Sequence, residues 1–167
     1  MKLRISSKLA SVHSELEVST VDGEVLFTAH TDPLSSPRTT RVVDASGTEV
    51  ACYRTSRSDD KDRAHHIELR SGVSMDLKRS FRVSAKTDEA VIRVQPQGWM
   101  VVTRRAWTSR FEIRTEGGRV MARAKQIPAL RGDVYDVEVL DDARVVAIAV
   151  LSMIARAVIR DDSPSPV

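Results

Sequence analysis

The feature that most restricts this chain is the segment from Val145 to Ile159, fifteen residues of which only Ser152 and Arg156 are polar. As an α-helix such a run rises about 22 Å, short of the ~20 apolar residues that span a bilayer, so a transmembrane helix is not expected. Its apolar side chains, among them Val145, Ile148, Leu151, Ile154 and Val158, fall on every side of a helical wheel. A helix without a wet face has to be enclosed by the rest of the protein. Everything before it reads as β-strand, ending in the alternating stretch Asp133 to Leu140 and the acidic pair Asp141-Asp142. A β-rich chain followed by one apolar helix predicts a sheet closed around that helix, which should run from about Asp142 to Arg160.

A weak repeat organises the strands. Gly-containing turns recur at Asp22-Gly23, Ser46-Gly47, Ser71-Gly72, Gln97-Gly98 and Gly117-Gly118, the spacing of successive hairpins. Three copies are clear: Leu16-Glu17-Val18 with Val25-Leu26-Phe27, Arg41-Val42-Val43 with Val50 to Tyr53, and Phe111-Glu112-Ile113 with Val120-Met121-Ala122. Polar connectors lie between hairpins. Thr31 to Thr39, with Pro33 and Pro37, is not expected to pair as a central strand, and Ser56 to Arg63 reads as a charged loop tip. The runs add up to about a dozen strands, more than an open twisted sheet holds before it closes or splits.

The length of 167 residues supports one domain, predicted over residues 1–160, with a disordered tail at 161–167. A hydrophobic fraction of 41% and a charged fraction of 29% are those of a globular protein, and a net charge of +3 is too small to imply a nucleic-acid partner. Cys52, the one cysteine, excludes an internal disulfide and a cysteine metal cluster, and is expected as a small buried hydrophobe in a strand. Met1 to Lys8 alternates polar and apolar residues without the apolar core of a signal peptide, so a cytoplasmic protein is expected. The absence of Asn and the excess of Arg over Lys point to a GC-rich bacterial genome.

The Gly-centred hairpins, the aromatic-bearing strand Trp107 to Ile113, and Asp133 to Val139 followed by an acidic pair and an Ala/Val/Ile helix resemble the LURP-one-related proteins. These are similar in fold to the tubby C-terminal domain and to phospholipid scramblases. The resemblance covers nearly the whole chain and is most specific in its last thirty residues. It implies a mainly β fold, a closed twelve-stranded antiparallel barrel threaded by a central C-terminal helix. For function it implies less, because fold analogy alone does not transfer an activity. The basic phosphoinositide contacts of tubby have no residue-by-residue counterpart here, and the acidic calcium-binding segment expected of a scramblase is missing.

The common catalytic signatures are also missing, and neither a catalytic residue, a metal nor a cofactor is predicted. His65 and His66 are adjacent on a strand and therefore point to opposite faces, which prevents joint chelation and leaves a partly exposed strand edge as the reading. His13 and His30 are ordinary histidines, and Asp59-Asp60-Lys61-Asp62 is a solvated loop without the Gly and terminal Glu of a calcium site. Asp141 and Asp142 are expected to cap the free N–H groups of the helix. Arg156 is expected to extend out of the barrel mouth.

One surface carries a functional expectation. Along the hairpin from Arg104 to Lys125, Arg110 and Arg114 alternate with Phe111 and Ile113, while Arg119, Arg123 and Lys125 alternate with Val120, Ala122 and Ala124. The period-two rule puts these cations on one outward face. With Arg104 and Arg105 they make a basic patch, with Trp107 or Trp99 near its rim. The patch would engage anionic phospholipid or phosphoinositide headgroups, giving a non-enzymatic domain peripheral to the inner membrane surface. The alternative is a protein-interaction or scaffold domain whose arginines only solubilise the barrel wall.

Overall fold

The computed structural model describes residues 1–8, 15–56, 64–78, 82–83, 86–104, 109–130 and 133–162. Its strands are β1 (Lys2–Ser7), β2 (Glu15–Thr20), β3 (Val25–Asp32), β4 (Arg38–Asp44), β5 (Glu49–Thr55), β6 (Ala64–Leu69), β7 (Ser74–Lys78), β8 (Arg82–Val83), β9 (Glu89–Gln95), β10 (Trp99–Arg104), β11 (Arg110–Arg114), β12 (Val120–Ile127) and β13 (Val134–Val139). The helix α1 (Val145–Asp162) follows a single 3₁₀ turn at Asp142–Arg144. β7 and β8 lie one after the other along β9, with Leu77 opposite Val94 and Arg82 opposite Val91, and so act as one interrupted strand. The result is a closed antiparallel barrel of twelve strands. With β7 and β8 taken as one, every strand pairs with its neighbour in sequence, and β1 closes the ring on β13 with Leu3 opposite Val137.

The helix fills this ring. From Ala147 to Arg156 every residue is buried, whichever way it faces. The inward side chains of the strands, such as Leu3, Ile5, Ile67, Met75, Ile92, Phe111 and Val137, form one core with Ile148, Leu151 and Ile154. Among the described residues no helix is long and apolar enough to cross a membrane.

An up-and-down meander gives the barrel two unlike rims. At the first rim four hairpins share one turn: the residues at positions 20, 44, 69 and 115 each donate a backbone N–H to the carbonyl four residues on, and Gly23, Gly47, Gly72 and Gly118 donate back. These glycines have φ between +83° and +94°, a conformation that costs an L-residue a clash of its Cβ. Three of the hairpins then carry a bulge, because Leu26, Val50 and Met121 have no partner across the ladder. This is the pairing of a short loop that ends in a left-handed residue. The segment from Leu140 into the helix leaves from the same rim. At the second rim lie the ends of β1, β3, β5, β8, β10 and β12, the starts of β2, β4, β6, β9, β11 and β13, and the far end of the helix.

Four expectations are corrected here. β3 extends to Asp32 and β4 begins at Arg38, with Thr31 opposite Thr40 and Asp32 opposite Thr39, so only the residues between the strands are unpaired. Proline restricts itself and its predecessor, not the rest of a connector. β6 is paired on both sides, so the two histidines are not on an edge. Cys52 is only half-buried, because Ala51 and Tyr53 take the inward positions of β5. Asp141 makes no side-chain capping bond; its carboxylate is turned to Arg119 and Arg144.

Candidate functional site

On β11 Phe111 and Ile113 are buried, so Arg110, Glu112 and Arg114 face outward; on β12 Ala122 and Ala124 face in, and Arg123 and Lys125 out. The bulge changes what comes before. Met121 is buried beside Ala122, the alternation reverses there, and Arg119 lies in the turn instead of in the row of Arg123 and Lys125. It bonds Asp141 at 3.2 Å, whose carboxylate also takes Arg144, and that guanidinium lies 5.6 Å from the centre of the Trp99 ring. The expected single basic face therefore loses Arg119 to the turn rim.

Most of the remaining cations are matched by carboxylates. Arg114, with its side chain 18% exposed, sits 2.6 Å from Glu112 and 3.3 Å from Glu89. Arg104 bonds Glu89 at 2.7 Å, and Arg123 spans Glu112 at 3.5 Å and Glu138 at 4.0 Å. Burial alone would lower the pKa of Arg114, yet the bond to Glu112 and then Glu89 outweigh it and raise the value. Hydrogen bonds from Arg104 and then Arg114 hold the Glu89 carboxyl below its ordinary value. Arg105 and Trp107 lie outside the described residues.

Arg110 and Lys125 stand apart. They are directly opposite each other in the ladder, both exposed, and among the described residues neither forms an ion pair. The other neighbour of Lys125, Asp136, is taken by Arg4 through bonds of 2.9 and 3.4 Å. Like charges placed directly opposite destabilise a sheet, and neither member of this pair is bonded to a carboxylate among the described residues. The two border a groove of about 430 Å³ in the barrel wall, with Lys2 and Arg123 as further cations and Glu112, Asp136 and Glu138 as its carboxylates. Lys2 likewise forms no ion pair among the described residues. Lys2 and Arg4 were not expected at this site. Their alternation with Leu3 and Ile5 was readable, but their place beside β13 follows only from ring closure.

A family model described as LURP-one-related matches residues 1–155, the whole barrel and much of its helix. The chain belongs to the LURP-one-related family. No curated protein matches it. Among solved structures, an X-ray structure of a protein from Arabidopsis thaliana is similar, at 14% identity and a TM-score of 0.48 over 90% of this chain and 88% of that one.

The other candidate residues of the LURP-one-related barrel are separated from the groove. His65 is buried with Nδ1 2.9 Å from Thr55 Oγ1, whereas His66 faces outward between Asp76 at 2.7 Å and Glu68 at 3.2 Å. The hydrogen bond to Asp76 is the main cause of a raised His66 pKa. His30 is exposed, 3.9 Å from Glu15. His13 and Asp59 to Asp62 lie outside the described residues. Arg156 does not emerge from the barrel as expected: it is 4% exposed, and Nη2 donates to the backbone oxygen of Asp133 at 3.3 Å. The helix is still enclosed at this level, since Val158 beyond it is buried too. Burial raises the pKa of both Tyr53 and Tyr135, and the charge of Arg156 opposes part of that rise.

Proposed function

We propose that this LURP-one-related barrel is a non-enzymatic binding domain that takes an anionic phospholipid headgroup in the wall groove bordered by Arg110 and Lys125. The observation that carries the reading is the opposed Arg110–Lys125 pair, neither member of which is ion-paired among the described residues. A phosphate placed between the two would accept a hydrogen bond from each and remove their repulsion. The basic residues expected at this surface thus divide into anchors of the wall, Arg104, Arg114 and Arg123, and a smaller cationic centre to which Lys2 is added. Each basic residue near an anionic bilayer contributes about 1 kcal/mol, and salt weakens the attraction as the Debye length falls from ~10 Å at 0.1 M to ~3 Å at 1 M.

The test is co-sedimentation with phosphatidylcholine vesicles with and without phosphatidylserine, comparing the wild type with Arg110→Gln/Lys125→Gln, which removes both charges without setting a carboxylate opposite Asp136. Arg114 is unsuitable for charge reversal, because a glutamate there would face Glu112 and Glu89 and unfold the wall. Binding that requires the anionic lipid, falls with salt and is lost in the double variant is the expected result. Equal binding by both proteins, or none by either, would favour a scaffold whose wall charges serve solubility.

A further inference from the structure

The described residues contain two large apolar side chains that are almost wholly in solvent, Leu34 at 92% and Leu130 at 106% exposure. Both stand at the second rim, Leu34 on the β3–β4 connector and Leu130 on the β12–β13 connector. In the ring β13, β1, β2 and β3 lie between them, four strand spacings or about 19 Å along the rim. Leu34 is held out by a braced loop. Asp32 Oδ1 accepts its backbone N–H at 2.9 Å, while Ser35 Oγ donates to the Asp32 carbonyl at 3.0 Å and accepts from Thr39 at 2.9 Å.

Each leucine also has on the wall below it a groove that holds a cation without an ion pair among the described residues. Arg110 and Lys125 lie at the ends of β11 and β12 nearest the Leu130 connector, and their groove is the one described above. A second groove of about 390 Å³ is lined by Asp32, Pro33, Ser35, Thr39, Arg41 and Arg54. Arg41 is bonded to Glu49, whereas Arg54 is exposed and forms no ion pair among the described residues. The nearby carboxylates are engaged: Asp32 with the Leu34 loop and Asp133 with Gln126 at 2.9 Å. Among the described residues the opposite rim has no apolar side chain so far into solvent: Met1, Val21, Val73 and Leu140 are 40–56% exposed, and the exposed carboxylates Asp22, Glu24, Glu116 and Asp142 stand among them beside Arg70, Arg119 and Arg144.

We infer that the second rim is a membrane-docking surface, on which Leu34 and Leu130 enter the acyl boundary of an anionic bilayer while Arg54 and the Arg110–Lys125 pair meet its phosphates. The inference rests on the headgroup reading and adds an orientation to it, with the barrel axis steep to the membrane and the glycine turns facing away. An almost wholly exposed apolar prong above cations that lack an ion pair suits a surface whose charge lies just above hydrocarbon, and it occurs twice on one rim.

Tryptophan placed at the prongs tests this. Leu34→Trp, Leu130→Trp and, at the opposite rim, Leu140→Trp are each titrated with phosphatidylserine-containing vesicles whose acyl chains are brominated. The added fluorescence of Leu34→Trp and Leu130→Trp should shift to the blue and be quenched, and that of Leu140→Trp should not. Leu34→Ser/Leu130→Ser should lower the vesicle partition constant about tenfold and leave the binding of soluble glycerophosphoserine unchanged. Quenching at Leu140→Trp, or vesicle binding without quenching at either prong, overturns the orientation while the headgroup reading stands. Vesicle binding that survives Arg110→Gln/Lys125→Gln overturns the headgroup reading itself. Loss of self-association in the serine variant, with vesicle binding unchanged, would make the rim a contact between copies of this chain.

Discussion

Two adjacent glycines in the β11–β12 turn should respond in opposite directions to the same substitution. Gly118 has φ +88°, and a Cβ built on it meets nothing within 4 Å. Space is therefore not the obstacle to alanine, and the cost is conformational, about 1–2 kcal/mol for an L-residue held in the left-handed region. Gly117 is outside that region, and its Cβ would meet only Thr115 Oγ1 at 4.0 Å. Alanine there removes freedom from the unfolded chain without strain in the folded one, a gain of about 0.4–1 kcal/mol. The two variants should thus differ by about 1.4–3 kcal/mol, and at ~2–4 °C per kcal/mol for a domain of this size their melting temperatures by about 3–12 °C. Thermal unfolding followed by far-ultraviolet circular dichroism reads the difference directly. Gly118→Asn should fall between them, because asparagine tolerates the left-handed region better than alanine. If Gly118→Ala were as stable as Gly117→Ala, the turn would not be imposing the conformation on which the bulge at Met121 depends.

Truncation of the enclosed helix should be costly: Leu151→Ala and Ile154→Ala, each replacing a fully buried side chain, should lose about 2–5 kcal/mol in urea titration, and a chain ending at Leu140 should show no cooperative transition. His66 should titrate above its ordinary value of 6.5, chiefly through its bond to Asp76, and Asp76→Asn should bring it down, as followed by the imidazole proton resonances. Because the folded-state value is the raised one, the stabilisation from this cluster is complete below about pH 6.5 and is lost as the pH rises through the folded pKa.

Much of the barrel was legible because its determinants are local. A glycine two or three residues before a Val marks the three clearest hairpins, and the apolar circumference of Val145 to Ile159 forces enclosure wherever the strands lie. The site was less legible, because its character depends on partners distant in sequence. Arg114 meets Glu89 only because β10 lies between β9 and β11, and the period-two rule has no term for that contact. Arg119 was misplaced for a different reason: one unmatched residue, Met121, shifts the alternation, and nothing in the run Arg119 to Lys125 distinguishes it from a straight strand. Cys52 and Arg156 were misjudged by residue type, whereas the inward neighbours Ala51 and Tyr53 and the depth of the helix decide their positions.

The pairing of β1 with β13 also sets a schedule for biogenesis. The first and last strands are neighbours, and the helix that fills the ring comes after both. Each hairpin can form as it leaves the ribosome, but none can cover its apolar inner face until the final segment has been made. The nascent meander is an open sheet with two unpaired edges, a species prone to associate with others like it. The entropic cost of joining ends more than 130 residues apart falls on the last step, in keeping with slow folding of β-topologies dominated by distant contacts. Substitutions in the helix should accordingly reduce the yield of folded protein in the cell more than its melting temperature alone would indicate, and co-expressed chaperones should recover part of that yield.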